Sequence, residues 1–400
     1  MQSLRQRSFV LAWMFAMCLS TADTQMQGNA FTLGGQSGAT AAAQGSTAPA
    51  KPDANKTPNW REGISPPSKP PDAKKELKEL VGIYRNGTKR EIILLEWVQS
   101  LHVHVGGMFF GAMEPQQVDK WKLRMGRNWE MDVAVERDAS GKVIALNCSN
   151  EDFGRYVRAD AGSDPKGFYH VTPAKPIEML RAEALVAKPP SETGPFRKTE
   201  LRELTSLDPG FHLDIRYAST NNFLSTPVYE HGGAYAYLQK PAAEALLRVL
   251  RKLKPLGYGL LIHDAYRPWY VTKIFWDATP VEGHTFVADP QKGSKHNRGC
   301  AVDLTMYDLA TSDPVEMPGM YDEMSERSFP EFAGGTWLQR WNRDLLKKAM
   351  ESEGFAVDAH EWWHFDYKDW KKYPILNVVI ATRGNGGVMP AATSEQEKPH

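Results

Sequence analysis

From residue 91 to residue 173 the chain repeats one local pattern, short runs in which apolar and polar positions alternate. The runs are EIILLEWV, LHVHVGG, WEMDVAVERD, KVIALNCS, RYVRA and GFYHVTP. A period of two puts successive side chains on opposite faces, so each run predicts a strand with one buried face. Turn signals lie around them at Asn86-Gly87, Gly106-Gly107, Asp138 to Gly141 and Asp160 to Gly162. Short strands with turns at regular spacing predict a small antiparallel all-β domain, a barrel or a sandwich. Just before it, KELKELVGIYRN predicts a short helix running into a strand. His102 and His104 in LHVHV fall on one strand face, and with no third ligand nearby in sequence they read as exposed polar residues.

The texture changes after KPPSETGPF (188–196), whose prolines and glycine predict a linker. Beyond it, the strand-like pieces HLDIRYA, GYGLLIHDAYRP, GCAVDLTMYD and WWHFDY alternate with helical ones. Ala243, Leu246, Leu247, Leu250 and Leu253 recur at helical spacing and predict a helix over Lys240–Lys254; a second is expected over about Gly335–Ser352. Mixed elements in a stretch of this length predict a single α+β domain. The expected plan is a leader over 1–27, a disordered linker over 28–72, a β-rich domain over 73–187, a linker over 188–198, the α+β domain over 199–385 and a disordered tail over 386–400. The 28–72 stretch is Gly, Ala, Ser, Thr, Gln and Pro without apolar periodicity, so it has nothing to bury.

The leader changes the expected location. Arg5 and Arg7 precede an apolar run from Phe9 to Leu19, and small residues follow at Ser20 to Ala22. That is the layout of a secretory signal, and the run falls short of the roughly 20 residues that span a bilayer. Export to the periplasm or the medium is expected, with no membrane span after cleavage. Phe15-Ala-Met before Cys18 is a poor lipidation context, so no lipid anchor is expected. Only Cys148 and Cys300 remain in the mature chain, too few for a disulfide framework; Cys300 reads as a small packing residue. Charge excludes one class. With 48 basic and 48 acidic residues and no Lys/Arg block, nothing in the chain suits a nucleic-acid backbone.

Chemistry gathers in two motifs of the second domain, SKHNRGCAVD (294–303) and EWWH (361–364). Catalytic zinc takes three protein ligands from nitrogen, oxygen or sulfur donors and keeps one position open. His296, Asp303 and His364 supply such a set, with one Zn2+ per chain expected. Gly299 permits the tight turn that returns Asp303 beside His296. Glu361 is then the candidate general base, since an activated water needs both a Lewis acid and a proton acceptor. In an ideal strand Glu361 and His364 would face opposite ways, so Glu361 is expected in the loop entering a strand that begins near His364.

Together with HDAYRP (263–268), these motifs resemble the D-alanyl-D-alanine dipeptidase family of zinc peptidases, from about Leu201 to Pro374. LDIRYASTNNF, MYDEMSERS and SEGFAVDAHEWWHF belong to the resemblance. It implies zinc on His296, Asp303 and His364, Glu361 as base, and Arg267 as stabiliser of the charged tetrahedral intermediate. It also implies Asp322 as receiver of the substrate's ammonium group and Ser294 near the substrate. The implied reaction is hydrolysis of D-Ala-D-Ala to two D-alanines in cell-wall metabolism. Two alternatives stand beside it, a peptidoglycan D,D-carboxypeptidase or endopeptidase, and a non-catalytic cell-wall binder working through the β-rich domain. The chain departs from the pattern in its export signal, in Phe329 where relatives commonly have histidine, and in its added β-rich domain, which offers a surface for cell-wall contact.

Overall fold

Eight strands in unbroken meander order close on themselves before the chemistry begins. The structure, a computed structural model, describes residues 68–379 except 88–90, 107, 126–128, 151–152, 160–169, 230–234 and 324. The leader, nearly all of the expected linker and the tail lie outside the described residues. After a four-residue helix α1 (Lys75–Lys78) come β1 (Gly82–Arg85), β2 (Glu91–Trp97), β3 (Ser100–Val105), β4 (Met108–Gln117), β5 (Lys120–Met125), β6 (Trp129–Arg137), β7 (Val143–Cys148) and β8 (Arg155–Arg158). Every neighbouring pair is antiparallel, and β1 pairs with β8, so the β-rich domain is a closed barrel rather than a sandwich. Closure removes the unpaired edges that an open sheet would present. Leu94, Leu101, Val103, Leu123, Met131 and Val133 fill the interior, as the alternation predicts.

Two of the eight strands, β4 and β5, are absent from the runs named above, although β5 (KWKLRM) alternates strictly. Pro115 interrupts β4, and the register shifts between Pro115 and Gln117, the kind of bulge where a strand tolerates proline. Gly111 is there because a Cβ would stand 2.2 Å from the Arg124 carbonyl oxygen of β5. GFYHVTP forms no barrel strand over its described residues 170–173; the Val171 amide donates to the Phe223 carbonyl, and Val171 joins the core of the next domain. The helix α2 (Ile177–Val186), inside the segment read as β-rich, likewise packs Ile177, Leu180 and Ala184 into that second core.

The second domain is α+β. A five-stranded sheet has the order β10-β12-β13-β15-β14, with β10 (Phe211–Leu213) parallel to β12 (Tyr258–Asp264) and the other pairs antiparallel. The remaining members are β13 (Ala301–Asp308), β15 (His364–Tyr367) and β14 (Phe355–Val357). A two-stranded ribbon pairs β9 (Leu201–Glu203) with β11 (Tyr237–Gln239). Around the sheet run α3 (Lys240–Leu253), α4 (Trp269–Ala278) and α5 (Trp337–Glu351). Helix α3 buries the stripe Ala243, Leu246, Leu250 and Leu253, which is its helical spacing at work. Helix α5 starts two residues later than its apolar pattern suggests, because Gly335 is left-handed and Thr336 caps the Gln339 amide in a capping box. Barrel and sheet lie within one compact unit. Among the described residues no helix is long and apolar enough to cross a membrane.

Candidate active site

Three adjacent strands set a row of ionisable groups across the middle of the sheet. Asp264 on β12 is the Cα partner of Asp303 on β13, and Asp303 is the partner of His364 at the start of β15. A register shift between Ile262 and Asp264 re-aims the end of β12. His296 arrives from a 3₁₀ turn, His296–Arg298, that ends on Gly299 at φ 65°. A Cβ at Gly299 would stand 2.7 Å from Leu201, so both the backbone angle and the space require glycine. Glu192, within the predicted linker, pairs with Arg298 at 2.6 Å and accepts from the Ile375 amide at 2.7 Å, which anchors this turn from outside.

His296 Nε2, His364 Nδ1 and Asp303 Oδ1 converge. His296 Nε2 lies 3.1 Å from His364 Nδ1 and 3.4 Å from Asp303 Oδ1, and the remaining edge is 2.9 Å. Ligand atoms about 2.0–2.1 Å from a tetrahedral zinc would lie roughly 3.3 Å apart, close to all three edges. Each of the three donor side chains is held from behind. His296 Nδ1 is 2.7 Å from the Ala265 carbonyl, and His364 Nε2 is 3.0 Å from Asp366, itself paired with Lys295. Asp303 Oδ2 accepts from the Tyr321 hydroxyl at 3.1 Å. Such outer partners fix ring orientation and present the intended nitrogen. Burial works against ionisation of Asp303, yet His296 and His364 hold its carboxylate well below the usual range. For His364, burial opposes the charged form, while Asp303 and Asp366 raise its pKa well above the ordinary value.

Glu361 sits in the turn before β15, with Oε2 3.9 Å from His364 Nδ1. Trp362 and Trp363 are buried and pack edge to face at 5.4 Å, which wedges that turn. Glu361 keeps 31% of its side chain exposed. Its surroundings still push its pKa up to about 7, desolvation first, with Asp303 and Asp358 adding to it and His364 and Arg267 opposing.

Arg267 follows β12 and is buried. Its Nε donates to Asp264 Oδ2 at 2.8 Å, a terminal nitrogen lies 3.8 Å from Asp303 Oδ2, and its guanidinium covers the rings of Phe275 and Tyr217 at 4.9 and 5.2 Å. Tyr229 donates a short hydrogen bond to the other oxygen of Asp264. Asp322 is 4% exposed and sits at φ 57°, a left-handed angle that aspartate tolerates better than most residues. The Tyr217 hydroxyl lies 3.2 Å from its Oδ2. Burial, then the charges of Glu361 and Asp303, raises its carboxyl well above the usual range. Ser294 is half-buried, and its Oγ accepts from the His296 amide at 3.3 Å, so its visible contact is with the ligand-bearing turn.

The structure therefore brings His296, Asp303, His364, Glu361 and Arg267 to one place, with Asp322 close enough for the charges of Glu361, Asp303 and Arg267 to act on its carboxyl. His102 and His104 are half-buried on β3 and belong to no metal-capable group; among the described residues His296, Asp303 and His364 form the one such trio. Cys300 is fully buried, and burial pushes its thiol up to about 12, so it packs rather than ligates. Phe329 packs against His360 at 5.7 Å, beside the Glu361 turn. Sequence reasoning missed Asp264, Tyr217, Tyr321, Asp366 and Lys295. Asp264 had a local signal, three residues before Arg267 in HDAYRP, and Lys295, Asp366 and Tyr321 stand within two residues of His296, His364 and Asp322; only Tyr217 comes from a distant part of the chain.

Residues 197–378 match the family model described as D-ala-D-ala dipeptidase. The chain is 34% identical over 178 residues to a D-alanyl-D-alanine dipeptidase of Escherichia coli K12, which covers 44% of this chain and 90% of that protein. It is 34% identical over 189 residues to one of Enterococcus faecium (41% and 89%) and 32% identical over 176 residues to one of Streptomyces coelicolor (40% and 87%). The barrel lies outside the residues matched by the family model.

Proposed function

This chain belongs to the D-Ala-D-Ala dipeptidase family of metallopeptidases, and we propose that it hydrolyses free D-Ala-D-Ala to two D-alanines with one zinc ion held by His296, Asp303 and His364. The observation that carries the reading is the convergence of two imidazole nitrogens and one carboxylate oxygen within 2.9–3.4 Å of one another, faced by a carboxyl of raised pKa. This donor set suits zinc, and each donor is oriented by a partner behind it. Bound there, zinc supplies a Lewis acid that makes water nucleophilic near neutral pH.

The chain's own residues do the rest. Glu361, with its pKa near 7, takes the proton of the attacking water and returns it to the leaving amine, because a carboxyl poised there gives and accepts protons at similar cost. Arg267 meets the negative charge that develops on the carbonyl oxygen. Asp264 and two ring faces hold the guanidinium in place beforehand, so no reorganisation is needed as that charge appears. Asp322 receives the substrate ammonium, since a buried carboxyl with its pKa driven up gains most from a cation. A peptide whose amine is acylated would leave that carboxyl unpaired, which favours free dipeptides over wall peptides. The signal-like leader supports a location outside the cytoplasm, and a role there in cell-wall metabolism.

The test compares the mature zinc-loaded protein with Glu361→Ala, each given free D-Ala-D-Ala or a wall pentapeptide ending in D-Ala-D-Ala, and measures released D-alanine. Release from the dipeptide, lost in the variant, is expected. Release mainly from the pentapeptide would make the protein a carboxypeptidase instead, and silence on both substrates with zinc bound would refute the enzymatic reading.

A further inference from the structure

Residues 309–336 connect β13 to α5 and carry Tyr321 and Asp322 near their middle. We propose that the barrel is a positioning device for this segment and so sets how tightly the site holds a substrate ammonium group; the proposal rests on the role of Asp322 given above.

Residues of α1 and of the barrel grip the segment at its start, middle and end. Lys78 pairs with Glu316 at 3.2 Å, and Arg85, at the end of β1, pairs with Glu326. The third grip is Glu96 on β2. Its amide donates to the Gly335 carbonyl at 3.1 Å, its carboxylate accepts from the Trp337 amide at 2.9 Å, and its carbonyl accepts from Arg340 at 2.8 Å. Next to it, Trp97 packs on Trp337 with ring centroids 4.8 Å apart. The barrel wall also presses on the segment's backbone, for a Cβ at Gly334 would stand 2.9 Å from Ile93. Between the grips lies a cavity of about 170 Å³ lined by Lys78, Arg158, Arg327 and Phe332 among others. The two parts thus meet through discrete holds rather than one continuous apolar seam.

The grips differ in strength for a physical reason. The two ion pairs are half exposed and screened, as surface pairs generally are. Glu96 is 1% exposed and accepts from two backbone amides, that of Trp337 and that of Gln99 at 2.6 Å. Charge-assisted bonds of this kind, shielded from water, are the strong ones.

From the grips the path to the site is short. Arg327, next to Glu326, donates to the Pro318 carbonyl at 3.0 Å and pairs with Glu323 at 3.2 Å; Glu323 in turn accepts from the Met320 amide at 2.7 Å. These bonds brace the turn that holds Asp322 buried at a positive φ. A left-handed, desolvated aspartate is a conformation that persists only when its surroundings over-determine it. The same segment reaches the general base, because the Ser328 carbonyl accepts from the Trp362 amide at 2.8 Å.

The experiment uses the full zinc-loaded chain carrying Glu96→Ala, Glu96→Gln or the surface pair Lys78→Ala/Arg85→Ala. Hydrogen exchange is followed over residues 316–329, and KM and kcat are measured for D-Ala-D-Ala. In Glu96→Ala we expect exchange in this segment about tenfold faster. KM should rise about tenfold with kcat changed less than about threefold and zinc content unaltered, since ammonium binding rather than chemistry is loosened. Glu96→Gln, which keeps one acceptor, should fall between, and the surface pair should shift both readouts the same way by less. Unchanged exchange over 316–329 in Glu96→Ala, or in the surface pair should Glu96→Ala not fold, overturns the proposal. So does a fall in kcat at constant KM. The exchange readout needs no turnover, so it decides whether the barrel holds the segment even if the wild type proves inactive on the dipeptide and the dipeptidase reading fails alone.

Discussion

Leu94, Leu101 and Val103 point into the barrel and bury nothing but hydrocarbon, whereas Asp264, Asp303 and His364, on neighbouring strands of the second sheet, bring a row of ionisable groups into the interior. Both regions are antiparallel or largely so, and both have well-buried strands. They differ in what is desolvated. Among the described barrel residues Glu96 is the only buried polar or charged side chain, and it is spoken for by the neighbouring domain; the second domain buries His263, Asp264, Arg267, His296, Asp303, Asp322 and Asp366 in one neighbourhood. Taking charges out of water is costly, and hydrophobic replacements would often serve stability as well or better. A region whose alternation is satisfied by apolar side chains therefore reads as scaffold, and one that gathers buried ionisable groups reads as a site.

Three substitutions put that contrast at risk. The largest effect is expected from Arg267→Lys, which keeps the charge but loses the planar fork that Asp264 holds. It should lower kcat by about 10²–10³ with zinc content intact; single-turnover rates beside metal analysis would check it, and an unchanged kcat would reduce Arg267 to a structural ion pair. Asp322→Asn comes next, with two consequences of opposite kind. KM for the dipeptide should rise about 100-fold as the ammonium loses its partner. The free protein should meanwhile become more stable by about 1–3 kcal/mol at neutral pH. The sign follows from the raised pKa of this carboxyl. Above the unfolded value, about 3.9, the unfolded chain gives up this proton while the folded chain keeps it, which favours unfolding of the wild type, so the gain appears as pH rises through that value and vanishes below it, where aspartate is neutral in both states. Denaturant titrations of both proteins at pH 7 and pH 3 would check this, and a less stable Asn variant at pH 7 would contradict it. The smallest effect on chemistry belongs to Leu101→Ala inside the barrel. It should cost about 2–5 kcal/mol of stability as a cavity opens, yet leave kcat within about twofold wherever the chain stays folded. A large kinetic loss with the barrel intact would mean that the scaffold takes part in the chemistry.

Much of this was written in local spacing. Alternation in EIILLEWV and WEMDVAVERD marks strands because a period of two is a property of neighbouring residues. The expectation that Glu361 precedes a strand beginning near His364 needed only the direction of side chains along three residues, and β15 does begin at His364. The helical stripe of α3 was legible for the same reason. Less legible was β4, where Pro115 hides a strand whose bulge accommodates it. The helix Ile177–Val186 was not read at all, and its stretch was assigned to the β-rich part, since the partners that make its apolar side a buried one lie on α4 and beyond.

Local spacing was enough to mark most of the strands, the α3 stripe and a group of residues whose types suit a metal and a proton acceptor, though it left out α2, β4 and β5 and counted GFYHVTP as a strand. It took the folded chain to reveal that the eight strands close into a barrel, that Asp264 and two rings immobilise Arg267, that Tyr217 and Tyr321 reach the carboxylates, and that Glu96 holds the start of the helix after the segment bearing Asp322. The reason is one of range. Side-chain direction along a strand or helix repeats every few residues and is visible in any short window, whereas a pairing between residue 96 and residue 337 depends on how whole elements pack, which no window contains.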